Sequence, residues 1–325
     1  MRISCLLWIV LLSCVISLCE AQEWGPSYIP DVPKSMGSAI QEICPWVQGF
    51  SWKPSSPRVG QEIHFSVELL LDEELTDAEI QEARIHVTYP DGTEISKTLE
   101  NKAGTWSCVV PGASSGGTLY ARLEVLDTLR NRFMDIPVRD LSWPPVNEDL
   151  YVIASDWPEE DVLSTPVDLT ELMLGLTDEF LICKLSSVGG IRVADSRWFL
   201  YGLAVDRKDY DKEDQGDELG SSRFFIYIPI LFKALIIDPE KLFGLSVTEF
   251  LAGPGDGDAL CQGDHLYLRI SRERLDAHGE DPFKIIAMSL ALDAGEGLDL
   301  SALSGGDATP YALIHPGLRP IEILE

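Results

Sequence analysis

The sequence predicts an all-β protein built from two β-sandwiches, and three observations carry that prediction. From about residue 50 to residue 138, apolar and polar side chains alternate in short runs, the two-residue period of a half-buried strand. Those runs recur at regular spacing with Gly, Pro, Asn and Asp between them, which is the rhythm of a sandwich. From about residue 148 the pattern resumes with longer β-branched and aromatic runs separated by longer, acidic loops. A chain of 325 residues is long enough for two separate cores, and an apolar fraction of 45% suits a folded protein.

The first residues read as a targeting segment. Arg2 is a minimal positive region, residues 3–18 are almost wholly apolar, and Cys19-Glu20-Ala21 places small residues where a signal peptidase reads them. This predicts cleavage after Ala21 and export to the periplasm, the cell surface or the medium. Leu11-Leu12-Ser13-Cys14 offers a second route, lipid anchoring at Cys14, but the apolar run continues past it through Leu18. The run is short for a membrane span. No transmembrane segment is expected in the mature chain, since the next apolar stretch, 224–237, is interrupted by Pro229 and Lys233.

Residues 22–49, rich in proline and polar side chains, read as a leader with room for a short helix at 38–43. The first sandwich is expected over 50–139. Strand 62–70 sets Ile63, Phe65, Val67 and Leu69 on one face, and 83–89 does the same with Ile85, Val87 and Tyr89. Pro90-Asp91-Gly92-Thr93 is a turn, followed by strands at 94–99, 104–110, 118–126 and 132–138. The acidic stretch 71–81 fits a loop with one helical turn. Residues 140–147 (DLSWPPVN) read as a linker stiffened by Pro144-Pro145. The second sandwich is expected over 148–325. Its strands fall at 150–154, in a hairpin of 169–176 and 179–185 about Thr177-Asp178, and at 198–205, 224–237, 246–251, 265–270 and 283–291, with a short helix at 273–278.

The formal net charge of -28 survives signal cleavage, because Arg2 and Glu20 cancel. Such a surface repels phosphate backbones and anionic bilayers, so nucleic acid is excluded as a partner. Cations, neutral ligands and basic partners remain, with plain solubility the simplest reading. The feature that invites a cation is the loop after residue 205. Asp206, Asp209, Asp211, Asp214 and Asp217 are the candidate ligands, and Ca2+, which takes about six to eight oxygens, is the ion that fits them. The spacing is not that of an EF-hand. Counting from Asp209, Asp214 stands where glycine is required and Gly220 where glutamate is. Lys208 and Lys212 also dilute the charge, which favours a solvated run. Glycine-rich acidic stretches at 253–264 and 305–307 read as two further loops, and the acidic loop becomes a metal site only with partners from Asp256–Asp264 or Asp307.

Three of the seven cysteines leave with the signal. Cys44, Cys108, Cys183 and Cys261 remain, an even number that permits disulfides in an exported chain. Domain logic favours Cys44–Cys108 and Cys183–Cys261, with buried thiols as the alternative. Residues 112–116 match G-x-S-x-G about Ser114, but another strand follows where a nucleophile elbow needs a helix, so the match reads as a hairpin loop. The five histidines form no metal-binding pair. No catalytic constellation is present, and a non-enzyme is expected. Trp143, Trp157, Trp198 and Tyr201 are candidates for stacking on a sugar ring. Trp157, in an acidic turn, is the expected ligand-binding residue, whereas Trp198 and Tyr201 lie in strands and read as core. Met173 and Met288 could serve as haem ligands but read more simply as core residues.

Two resemblances add to this. Pro57-Arg58-Val59-Gly60-Gln61, Tyr89-Pro90-Asp91-Gly92-Thr93, Ala103-Gly104-Thr105-Trp106-Ser107-Cys108 and the strand 119–127 make the first region resemble the immunoglobulin-like or fibronectin type III-like modules of bacterial exported proteins. That implies a spacer or binding role. In the second region, 168–185, Tyr201-Gly202-Leu203-Ala204-Val205-Asp206, 266–275 and Asp307-Ala308-Thr309-Pro310 are similar to DOMON-like and family 9-like carbohydrate-binding sandwiches. These resemblances imply a non-catalytic exported protein that binds a glycan at the cell envelope. The alternatives are a structural or assembly component that binds another envelope protein, and a haem-binding redox subunit.

Overall fold

The computed structural model describes residues 45–70, 79–155, 167–191, 197–206, 223–229, 233–237, 256–293 and 303–325. The fold is all-β. Among the described residues helix is confined to 3-10 turns, at Asn147–Asp149 and at Val167 and Pro229, and no helix is long and apolar enough to cross a membrane. Two compact units divide the described residues: one comprises those of 45–138 with Pro310–Glu325, the other those of 139–309.

In the unit containing Ile43–Val138, one sheet runs β1 (Trp46–Lys53), β2 (Ile63–Leu70), β6 (Thr105–Val110) and β5 (Glu100–Lys102). Strand β1 begins inside the stretch that reads as a leader, so 45–53 belongs to the sandwich. The facing sheet has β3 (Ile80–Thr88) at its centre, between β4 (Glu94–Thr98) and β7 (Gly117–Asp127). The alternation read from the sequence sets the core: Ile63, Phe65, Val67, Ile85, Leu119, Ala121, Leu123 and Val125 are all fully buried. The Tyr89 hydroxyl crosses between sheets to donate to the Pro111 carbonyl at 2.7 Å. Gly60 N–H bonds Ala113 O at 2.8 Å, and Ser114 Oγ donates to Asp91 at 2.6 Å. The segment around Ser114 therefore crosses from one sheet to the other, and is not the hairpin loop expected.

The last strand of this sandwich is made in two pieces. β8 (Arg132–Ile136) pairs antiparallel with the C-terminal half of β7, Leu126 facing Arg132 and Glu124 facing Met134. β20 (Arg319–Ile323) pairs antiparallel with the N-terminal half, Ala121 facing Arg319 and Gly117 facing Ile323. Extending the β8 register puts Ile136 opposite Arg122, so Arg319 takes the next rung. Pro137 supplies the reason for the break: it has no N–H for the ladder, and the chain departs there. It returns through β19 (Ala312–Pro316), which runs parallel to β8, and Gly317, whose φ of 113° suits only glycine and whose N–H donates to Ile136 O at 2.7 Å. The second sandwich is thus inserted into a strand of the first. Residues 310–325, expected in the second sandwich, complete the first.

Asp135 joins the two pieces. Its side chain is fully buried. It accepts from Leu123 N at 2.8 Å and from Arg319 Nε and Nη2 at 2.9 and 3.0 Å, and His315 Nδ1 lies 2.9 Å away. Arg319 also covers the Phe50 ring at 4.5 Å. On the outer face of the same sheet, Glu124 lies 3.0 Å from Arg132, 3.2 Å from His86 and 3.9 Å from Arg122.

The inserted unit is a second sandwich. One sheet runs β15 (Gly257–Gln262), β16 (His265–Ser271), β11 (Phe180–Ser187), β10 (Leu169–Leu176) and β9 (Tyr151–Ser155). The other runs β14 (Lys233–Ile237), β13 (Arg223–Ile228), β12 (Arg197–Asp206) and β17 (Phe283–Asp293), with β18 (Leu303–Ala308) paired to β17. The expected hairpin forms about Thr177, whose N–H bonds Phe180 O at 2.9 Å. Four expectations are corrected. The run 224–237 is not one strand but two antiparallel ones, because Pro229 cannot continue the ladder. Residues 257–262 form β15 and 303–308 form β18, so neither glycine-rich stretch is simply a loop. Residues 273–278 form turns, because Arg272 draws their carbonyls to its guanidinium, with Nε on Ala277 O at 2.8 Å and Nη2 on Gly279 O at 2.7 Å. Its Nη1 reaches Thr177 O at 2.9 Å, which ties this turn to the hairpin.

Two predictions follow from the first sandwich. Replacing Arg319 by Met strands the buried Asp135 charge and is expected to cost about 3–5 kcal/mol. In hydrogen exchange, the amides of Gly117–Ala121 lose protection first; unchanged protection there would contradict the two-piece strand. The second concerns pH. The Glu124 carboxyl is penalised most by burial, yet the His86 hydrogen bond and the Arg132 and Arg122 charges together hold its pKa below the ordinary 4.5. A depressed pKa contributes stability above the unfolded value that is lost as pH falls through the folded one. The buried Asp127 is shifted upward and acts in the opposite sense, so wild type is compared with Glu124→Gln. The Tm advantage of wild type should be full at neutral pH and vanish on acidification.

Candidate functional site

The five-stranded sheet of the second sandwich turns one face to the core. Leu181, Cys183, Leu185, Leu266, Leu268 and Ile270 are fully buried there. The alternate residues point outward and, by register, form a grid of three rows. One row is Glu171, Ser186, His265 and Gln262. The middle row is Met173, Lys184, Tyr267 and Leu260. The last is Gly175, Ile182, Arg269 and Asp258.

The last row is closed by the segment after Arg139. A side chain at position 175 would collide with Leu141, whose Cδ1 would lie 2.6 Å from an added Cβ, so glycine there lets the segment lie on the sheet. The Trp143 ring lies 5.3 Å from the Arg269 guanidinium, and Phe180 lies 4.9 Å from it. Arg269 also pairs with Asp258. Arg139 N–H bonds Leu176 O at 3.0 Å, and its guanidinium covers the Tyr151 ring at 5.7 Å. Residues 140–147 are therefore packed against this sandwich and are not a spanning linker. Trp143, one of the candidate stacking residues, is used in that packing.

The other two rows are built for polar contact. Ser186 Oγ and His265 Nδ1 are 3.0 Å apart, and the His265 and Tyr267 rings meet edge-on at 6.4 Å. The His265 pKa sits below its ordinary 6.5, first through burial and second through the charge of Lys184, against smaller upward pulls from Asp264 and Glu171. The ring is therefore neutral at pH 7. In the tautomer where Nδ1 accepts from Ser186, Nε2 is left as a donor. Lys184 is only 6% exposed and Tyr267 only 7%. The arrangement supplies donors and acceptors in two adjacent rows on a rigid sheet. The signal for it was legible in FLICKLSS, where a lysine sits on the outward side of an otherwise apolar strand, and in the strict alternation of HLYLRIS.

Of the residues picked out by sequence, Asp206 lies at the end of β12, 5% exposed and facing Lys284 in register. Asp209, Asp211, Asp214, Asp217, Trp157 and Cys44 lie outside the described residues. Asp307 is buried on β18, where it accepts from Leu169 N at 2.6 Å and Ala308 N at 2.7 Å; the first of these bonds ties β18 to β10. Among the described residues no group of three His, Cys, Asp or Glu side chains is arranged to hold a metal. Tyr201 is fully buried, as its core reading requires, whereas Trp198, Met173 and Met288 are half-buried. The structure does not join Cys183 to Cys261. Both are free thiols, as is Cys108, with Cys183 buried and Cys261 exposed on the edge strand. Burial raises the Cys183 pKa well above 9.0 and that of Cys108 to about 11.

No protein-family model matches the sequence, and no curated protein matches it. Solved structures with some likeness include the carbohydrate-binding module BhCBM56, at 16% identity and TM-score 0.20 over 26% of this chain and 80% of that one. Trypsin-activated alpha-2-macroglobulin from Escherichia coli shares 12% identity at TM-score 0.20; the match covers 83% of this chain but only 16% of that one. A collagen adhesin from S. aureus shares 7% identity at TM-score 0.19 over 84% and 93% of the two chains. At such scores these likenesses carry no argument about activity.

Thiol accessibility checks the cysteine placement. A maleimide should label Cys261 in the native protein, Cys108 more slowly, and Cys183 only on unfolding. A disulfide joining Cys183 to Cys261 by mass spectrometry would contradict the structure.

Proposed function

We propose that this chain is an exported, non-catalytic binding protein, and that its second sandwich takes a carbohydrate on the outer face of the five-stranded sheet. The observation that supports this most is the pair of polar rows, in which Glu171, His265 and Gln262 are the accessible members while Ser186, Lys184 and Tyr267 are buried. Glu171, Ser186, His265, Gln262, Lys184 and Tyr267 alternate along neighbouring strands and offer both donors and acceptors. A ligand dense in hydroxyls matches such a mixed surface better than an apolar ligand or a peptide strand does. The net charge of -28 disfavours polyanions, and the apolar run at 3–18 supports export. The Ser186–His265 contact is read as a ligand-facing hydrogen bond. A nucleophile in that place would need a donor pair for an oxyanion beside it, and the neighbouring strand amides are engaged in the sheet ladder.

The test is binding of the purified mature chain to a panel of neutral and acidic oligosaccharides, by calorimetry. Ser186→Ala and His265→Ala should each weaken binding about fivefold, as the loss of one hydrogen bond does, without lowering Tm. A folded protein that binds no glycan, or a double variant that binds as well as wild type, would overturn the reading.

A further inference from the structure

We infer that the free edge of β15 is a self-association surface, and that its partner is a second copy of this chain, added strand to strand about a two-fold axis. β15 ends the five-stranded sheet and pairs with β16; among the described residues no strand meets its other side. The edge is accessible, with Leu260 at 37% exposure and Cys261 and Gln262 exposed beside it. An unpaired edge offers backbone donors and acceptors to any strand that approaches, and folded proteins blunt such edges with charges, bulges or very short strands. The edges of the first sandwich carry these devices. β4 displays Glu94 and Lys97, β5 has three residues of which Glu100 and Lys102 are charged, and β1 is bulged between Val47 and Gly49. β15 has none of them. It is a regular strand of six residues whose single charge, Asp258, is paired with Arg269 on its own sheet.

The side chains select the partner. When β15 pairs antiparallel with its own copy, the two-fold axis must pass through a residue, because directly opposed residues share one side of the joined sheet. Centred on Leu260, the outer face sets Leu260 against Leu260 of the second copy, and Asp258 against Gln262 in both directions. Leucine meets leucine, and an amide that donates meets a carboxylate that accepts. Centring on Ala259 or on Cys261 sets Leu260 against Asp258 or against Gln262 instead, an apolar side chain against a polar one. In the Leu260 register the two Cys261 residues are diagonal neighbours, about 7–8 Å apart, beyond the reach of a disulfide. The dimer is therefore non-covalent and Cys261 stays a free thiol. One strand pair buries little surface, which places the contact among weak, transient interfaces. The net charge of -28 on each copy opposes it, and salt screens that repulsion.

The experiment is sedimentation equilibrium of the mature chain under reducing conditions, from micromolar to near-millimolar concentration, at low and at high salt. Wild type should pass from monomer to dimer as concentration rises, and high salt should favour the dimer. Leu260→Lys, which faces two ammonium groups across the axis, should weaken association about tenfold, the sum of one lost cross-strand pair and one like-charge contact. Its Tm should be unchanged, because the residue is exposed. Gln262→Glu should also weaken the dimer, and Gln262→Lys, which faces Asp258, should tighten it. Mild oxidation with glutathione disulfide reads the register; the reagent is reduced to two thiols as each interchain S–S bond forms. A chain carrying Leu260→Cys and Cys261→Ser should become linked to a second copy, whereas wild type should not become linked through Cys261. A chain that stays monomeric throughout, a dimer that Leu260→Lys leaves intact, or ready linkage of wild type through Cys261 overturns the proposal.

Discussion

The first sandwich depends on a buried carboxylate. Asp135 has no exposed surface, and everything that neutralises it comes from elsewhere in the sequence: Leu123 N from β7, and Arg319 and His315 from the C-terminal segment. The ion pair with Arg319 closes a strand whose two halves are separated by the whole inserted sandwich. The local sequence makes this necessary. Pro137 ends β8 one rung short of Ala121, and Arg319 resumes the ladder at that rung. A sheet assembled this way has its closing contacts among the longest in the chain, so the edge of β7 near Gly117 stays unpaired until the last sixteen residues dock.

The insertion also explains how hydrogen bonds are distributed at the two ends of the second sandwich. Arg139, its first residue, bonds Leu176 O, and Thr309, its last, bonds Ala287 O at 3.0 Å. Both bonds fall within that unit, so it is closed on itself where the chain enters and leaves. Leu141 and Trp143 then lie over one row of the outer sheet face. What that segment leaves is the polar part of the face, with side chains aligned at strand spacing.

Much of the first sandwich was legible in the sequence because its strands have one wet face. In 62–68 and 83–89 apolar and polar residues alternate, and the core positions Ile63, Phe65, Val67, Ile85 and Val87 emerged as read. The second sandwich was harder because its strands are buried on both faces. In β11 every residue from Leu181 to Ser187 is buried, so alternation gives no face, and the lysine that marks the outer side was passed over. Strands β15 and β18 were taken for loops because Gly257, Gly305 and Gly306 carry the signature of turns. Here β18 is held by its pairing with β17 and by Asp307 hydrogen-bonding to β10, neither of which has a local signal.

By itself the sequence determined the β period, the turns at Pro90–Thr93 and Thr177–Phe180, and a charge that turns polyanions away. These are local or summed properties, written in neighbouring residues or in composition. Only the tertiary structure decided that residues 310–325 belong to the first sandwich, that Cys183 and Cys261 are apart, and that Lys184, Ser186, His265 and Tyr267 share one face. Each of those depends on register between strands far apart in the chain, and shifting a register by one residue would send the same side chains to the opposite side of the sheet.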